Sequence, residues 1–213
     1  MKYETSPTCQ IPNLPEIYEK YFGYKTDGTF IEVGAYDGLA YSNTYGLAEL
    51  GWYGLYIEAI QEYAEKCREN HKYNRVQVVN ACVGLGKLTS MFVSGEYSTS
   101  HAFFARVASK LWNAKYNKSI LMQSVKLDSI IKQTRLDNIP LDLLVIDVEG
   151  AEIEALAGFS IDRYKPIMVI IEVHEGHKDK TLSGYAEPVN EYFDKHGYDK
   201  VYSDTCNNIY VRR

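Results

Sequence analysis

The chain has 213 residues, 46% hydrophobic and 24% charged, which is enough to bury a core unaided and too apolar for wholesale disorder. Its net charge of −5 excludes a broad electrostatic grip on nucleic acid or on an anionic lipid surface. Cys9, Cys67, Cys82 and Cys206 form no C-x-x-C pair and have no histidine at zinc-finger spacing, so free thiols in a reducing compartment are expected. The opening MKYETSPTCQIPNLPEIYEKYF lacks the apolar stretch of a secretory signal, and the longest apolar runs, 143–146 and 167–171, are far too short to span a membrane. A soluble, cytoplasmic protein is expected, with one domain over residues 1–213.

In chain order, TFIEVG (29–34) reads as a buried parallel strand that stops at a glycine. SNTYGLAEL (42–50) reads as a helix with Ser42 or Asn43 as its N-cap. GLYIEA (54–59) is a second strand, 61–71 a charged helix and VQVVNACVG (76–84) a third strand. KLTSMFV (87–93) reads as a strand, 96–104 as a loop with aromatic anchors, and 106–118 as a helix. A strand then runs into a helix over 124–134, capped by Asp128 or Ser129. LDLLVIDVEG (141–150) is a fourth buried strand, and 151–159 is a short helix with Gly158 just past its end. PIMVIIEV (166–173) is a fifth strand, followed by a polar loop (174–184) and a helix (187–197). The tail offers two strands around a Cys-Asn-Asn turn, close enough to pair only as an antiparallel hairpin. Strands alternating with helices predict an α/β fold around a doubly wound sheet.

In such a sheet, ligands bind beyond the carboxyl ends of the strands. Each strand here delivers a small or polar group to that edge. The first gives Gly34 to Gly38, the second Glu58, the third Asn80, Ala81 and Cys82. The fourth gives Asp147 and Glu149, and the fifth Glu172, His174 and Glu175. The G-x-x-x-G loop, with Asp37 inside it, is not the G-x-G-x-x-G of a dinucleotide site, and its carboxylate would repel a pyrophosphate. Glu58 has the chemistry to accept from both hydroxyls of a ribose. A ligand with a ribose, a cationic amino-acid end and no diphosphate is implied, which suits S-adenosylmethionine better than NAD.

FIEVGAYDG, GLYIEA, VVNACVG, VKLDSI and above all LDLLVIDVEGAEIEALAGF resemble the successive motifs of the FkbM family of S-adenosylmethionine-dependent methyltransferases, over about residues 30–173 but not 85–120. The resemblance implies the Rossmann-like class I methyltransferase fold, a mostly parallel seven-stranded sheet ending in an antiparallel hairpin. It also implies O-methylation of a sugar, glycan or hydroxylated natural product. The family's cofactor loop carries over to Glu32, Gly34, Ala35, Asp37 and Gly38, and its ribose acid to Glu58. Tyr36 stands where the family commonly has a small polar residue. The expected cofactor edge is completed by Tyr36, Ser42, Asn43, Ala59, Asn80, Ala81, Cys82 and Asp147.

For the transfer step, His174 is expected to take the acceptor's proton, with Asp147 facing the acceptor or the cofactor's methionine end. Glu149 either joins them or anchors its turn by accepting backbone N–H groups. Glu152 and Glu154 read as ordinary first-turn acids. A divalent metal on Asp147, Glu172 and His174 is an alternative, although these residues form no recognisable metal signature. His71, His101, His177 and His196 read as surface or helix-end residues. Residues 94–118, with Tyr97, His101, Phe103, Phe104, Trp112 and Tyr116, read as an acceptor lid, or else as a packing arm or dimer contact. A small-molecule or glycan acceptor is expected, with no nucleic acid and no membrane span. The alternatives are an NAD(P)-binding oxidoreductase and a non-catalytic binding protein.

Overall fold

Five short strands, each buried from end to end or nearly so, line up as the centre of a seven-stranded sheet. The computed structural model describes residues 2–175 and 186–213. Strands β1 (Thr29–Val33), β2 (Tyr53–Glu58) and β3 (Val76–Asn80) are joined by helices α2 (Tyr45–Glu49) and α3 (Gln61–Asn70). Further along lie β4 (Cys82–Val83), β5 (Leu88–Val93), α4 (Ala102–Leu111), β6 (Lys118–Val125) and α5 (Leu127–Ile131). Then come β7 (Leu143–Ile146), α6 (Glu152–Ala157), α7 (Ile161–Tyr164) and β8 (Met168–Glu172). The chain ends with α8 (Ala186–Lys195), β9 (Tyr198–Ser203) and β10 (Asn207–Arg212), and α1 (Leu14–Phe22) precedes the first strand. The order across the sheet is β3-β2-β1-β7-β8-β10-β9. Only β10 runs antiparallel to its neighbours.

Alternation along the strands divides the core in two. Ile31, Val33, Leu55, Ile57, Leu144, Ile146, Val169 and Ile171 face one way, onto α5, α6 and α8. Phe30, Tyr56, Leu143, Val145, Met168 and Ile170 face the other, onto α1, α2 and α3. The central strands are therefore covered on both faces, as parallel sheets require.

The structure shifts several expected boundaries. The run 76–84 is not one strand. Asn80 Nδ2 donates to the carbonyls of Glu58 and Ala59, both at 2.9 Å, and Ala81 N to that of Glu58 at 3.0 Å. These bonds turn the chain, so β4 leaves for a second sheet of order β4-β6-β5. The helix expected over 106–118 starts earlier, at Ala102, because His101 accepts from Phe104 N as its cap, and it ends at Leu111. Helix α5 begins at Leu127, so Asp128 is no cap; its carboxylate accepts from the backbone N–H and hydroxyl of Ser160. Gly158 has φ −94, and a Cβ there would lie 3.1 Å from the Gly84 carbonyl, so close packing explains this glycine. The hairpin turn is Asp204-Thr205-Cys206, closed by Asp204 accepting from Cys206 N and Asn207 N at 2.8 and 2.7 Å. Asn207 and Asn208 already belong to β10. The expected polar loop beyond Glu175, with His177, lies outside the described residues.

Candidate active site

The carboxyl ends of β1, β2, β7 and β8 open onto one cavity of about 570 Å³. That is within the usual range for a small-molecule site. Its floor begins at Gly34. A Cβ at Gly34 would lie 1.6 Å from the Asp147 carbonyl oxygen, and φ is +83, so only glycine lets the loops after β1 and β7 meet here. Tyr36 follows in the left-handed region at φ 49. Its N–H donates to Glu58 Oε2 at 2.8 Å, and its ring meets Tyr63 edge-on at 4.6 Å.

Glu58 ends β2. Its other oxygen accepts from Ile60 N at 2.8 Å. Burial pushes its carboxyl up to about 7, against the pull of these backbone donors. Glu32 lies deeper, accepting from Ser42 Oγ at 2.8 Å, Asn43 N at 3.2 Å and Thr44 Oγ1, and so ties β1 to the chain entering α2. Ser42 Oγ in turn accepts from Thr44 N and Tyr45 N.

Of the expected cofactor residues, Glu32, Gly34, Ala35, Tyr36, Ser42, Glu58, Ala59, Ala81, Cys82 and Asp147 line the cavity. Asp37, Gly38, Asn43 and Asn80 lie outside the lining. Asp37 Oδ1 accepts from Leu39 N and Ala40 N at 3.0 and 2.8 Å, so it shapes the turn. Gly38 is needed because a Cβ there would meet Cys67 Sγ and the His71 ring. His71, expected at the surface or a helix end, ends α3 but is buried, its Nε2 2.8 Å from the Gly38 carbonyl oxygen.

The opposite wall carries acids. Asp147, Glu149 and Glu172 each bring a carboxylate oxygen within 4.8 Å of the others. Burial, and then the charge of Glu172, raise Asp147 and Glu149 well above the ordinary carboxylate range. Glu149 lines the cavity at φ 55 and does not anchor its turn. Glu152 does, accepting from Val148 N at 3.2 Å and Gly150 N at 3.1 Å. Burial pushes Glu152 up to about 7. Glu175 is drawn away by Lys200, Asn190 and Asn208.

His174, at φ 48, sits 3.5 Å from Glu172. Burial alone would lower its imidazole, but the Glu172 carboxylate and the Cys206 side chain outweigh that and raise it to about 11. Its ring stacks on Phe104 at 5.6 Å and lies 5.5 Å from Trp112, which stacks on Tyr97. The 94–118 segment thus brings Tyr97 and Trp112 to the cavity, while Phe104 is buried beneath and Phe103 is exposed. Cys206, Gln10, Tyr41 and Glu96 also line it, unanticipated from sequence. Cys206 arrives through the β10 register, which sets Asn207 opposite Glu172. No Lys or Arg lines the cavity among the described residues.

Residues 32–200 match the model of the methyltransferase FkbM domain. The chain belongs to the FkbM methyltransferase family. This protein is therefore an S-adenosylmethionine-dependent methyltransferase, which sets aside the NAD(P)-oxidoreductase alternative. No curated protein matches the chain. Among solved structures, an O-methyltransferase from Bacillus cereus in complex with SAH is 14% identical, with a TM-score of 0.53 over 99% of this chain and 83% of that one. Cofactor-bound Rv0187 from MTB is 13% identical, with a TM-score of 0.56 over 99% and 84%. At such identities the likeness of this FkbM-family chain to them is one of fold. No described helix is long and apolar enough to cross a membrane.

Proposed function

We propose that this methyltransferase acts on a hydroxyl oxygen of a small molecule, a sugar or glycan or a hydroxylated natural product. The observation that carries the reading is the two-ended cavity, with Glu58 and the β1 loop on one wall and Asp147, Glu149, Glu172 and His174 on the other. The residues fit the cofactor. Each Glu58 oxygen spends one lone pair on a backbone N–H, leaving acceptor capacity for a ribose diol. S-adenosylmethionine supplies an activated methyl, so that a carbon–sulfur bond breaks as a carbon–oxygen bond forms and the hydroxyl proton leaves.

The protein's share is to align the acceptor, exclude water and receive that proton. An imidazolium has no free lone pair, so His174, raised to about 11, serves better as the counter-charge that holds Glu172. We assign the proton to Glu149, which lines the cavity beside Asp147 and accepts it in its ionised form. Asp147 lies beside it, at the Gly34 floor. Tyr97 and Trp112 offer aromatic faces to a sugar ring, which supports 94–118 as the acceptor lid. The net charge of −5 and a lining without Lys or Arg favour a small acceptor over nucleic acid.

Calorimetry with S-adenosylhomocysteine and with NAD tests the reading. Binding of the former alone is expected; absence of binding would remove Glu58 and the β1 loop as the cofactor site.

A further inference from the structure

Cys206 has no place in the mechanism above, yet it lines the cavity at its acid end. Its position is fixed by backbone bonds. Its carbonyl accepts from Val173 N at 2.7 Å and His174 N at 3.0 Å, and its own N–H donates to Asp204. One ligand atom each from Glu172, His174 and Cys206 lies within 4.8 Å of the other two. Zinc bonds of about 2.0–2.3 Å in a tetrahedron set ligand atoms roughly 3.3–3.8 Å apart, so small side-chain rotations suffice once the metal displaces the protons of His174 and Cys206.

A second observation points to a cation. Glu172 is only 8% exposed, and its Oε2, 3.5 Å from His174 Nε2, makes no hydrogen bond among the described residues. A buried carboxylate oxygen left so is costly. We propose that Glu172, His174 and Cys206 form a three-ligand site for a thiophilic divalent cation, zinc or a like metal, with its remaining position open to the cavity. A mixed N, O and S set with an open position has the donor chemistry of catalytic zinc. The adjacent set of Asp147, Glu149 and Glu172 offers oxygen alone, which suits magnesium, and the two sets compete for Glu172. Spacing in the sequence could not show this site, because its ligands meet only through the β8–β10 register. That the cation would acidify an acceptor hydroxyl rests on the methyl-transfer reading; that it binds does not.

Metal-stripped protein is titrated with Co²⁺, followed by Zn²⁺. One equivalent of Co²⁺ should give intense visible bands and a near-ultraviolet thiolate-to-cobalt charge-transfer band, both erased by Zn²⁺. Cys206→Ser should abolish the charge-transfer band and weaken Co²⁺ binding at least tenfold, while Cys9→Ser leaves both unchanged. His174→Ala, checked for native circular dichroism, should also weaken binding; Cys206→Ser carries the test if that variant fails to fold. Absence of Co²⁺ binding, spectra unchanged in Cys206→Ser, or a response to Mg²⁺ alone would each overturn the site. S-adenosylhomocysteine affinity, measured on the same samples, tells this failure apart from failure of the methyltransfer reading.

Discussion

Gly34 and Glu58 set different limits on the same loop. At Gly34 the obstruction to any side chain is the Asp147 carbonyl, not a ligand, so even alanine must part the loops after β1 and β7. Gly34→Ala should lower stability by about 3–5 kcal/mol, read as a fall in urea midpoint; a wild-type midpoint would show that the two loops separate freely. Glu58→Ala removes the acceptor for Tyr36 N and Ile60 N as well as the proposed ribose contacts. S-adenosylhomocysteine affinity should fall by roughly 10²-fold, as expected for two charge-assisted hydrogen bonds. Unchanged affinity by calorimetry, with native circular dichroism, would place the ribose elsewhere. Glu149→Gln keeps the size of the side chain and removes its basicity. Turnover should drop by about 10²–10⁴-fold while cofactor affinity stays within a few-fold. Full turnover, assayed once an acceptor is found, would return the base to another cavity side chain.

Between elements, the buried Thr99 ties the 94–118 segment to the acid turn. Thr99 Oγ1 donates to the Glu149 carbonyl at 2.6 Å and accepts from His101 N at 2.8 Å, and its backbone pairs with Phe92. Thr99→Val keeps the shape but leaves that carbonyl and that N–H without their partner, so a loss of about 1–3 kcal/mol is expected in urea denaturation. A loss within error would show that the segment rests on packing alone. How far sequence could see such elements depended on whether their determinants were local. β1, β2, β7 and β8 were legible because each is an apolar run closed by a polar or glycine edge, and parallel order follows from the intervening helices. The break after Asn80 was not, since it depends on carbonyls 21 and 22 residues away. Helix α1 was legible in principle, since Leu14 and Tyr18 are buried at i, i+4 spacing. At the site, the strand-end acids stood out, whereas the turn-anchoring role of Glu152 hid behind ordinary first-turn chemistry. Cys206 hid behind 31 residues of intervening chain after His174.

Across the molecule, the buried carboxylates couple the cavity to pH. Burial pushes Glu58 and Glu152 up to about 7 from an ordinary 4.5. Between those values the folded chain holds protons that the unfolded chain has released. Their contribution to stability is therefore complete below about pH 4.5 and is lost as pH rises through 7. Asp147 and Glu149, raised by burial and by Glu172, act in the same direction. The ligand-free protein should accordingly unfold at a higher urea concentration at pH 5.5 than at pH 8, by on the order of 1–3 kcal/mol for each fully buried group. Glu152→Gln remains neutral at every pH, so it should flatten that slope, although its amide replaces one acceptor of the Val148 and Gly150 N–H groups. Midpoints that rise from pH 5.5 to pH 8, or a slope unaltered in Glu152→Gln, would mean that water or a bound cation solvates these acids in the free protein. A cation added at saturation should shrink the same slope, because it keeps the strand-end carboxylates ionised without the cost of bare burial. The cavity thus trades stability near neutral pH for a wall of acids poised to receive charge. This explains why the left-handed residues Tyr36, Tyr41, Glu149 and His174 all sit along its rim, where the folded scaffold holds conformations that an isolated chain would avoid.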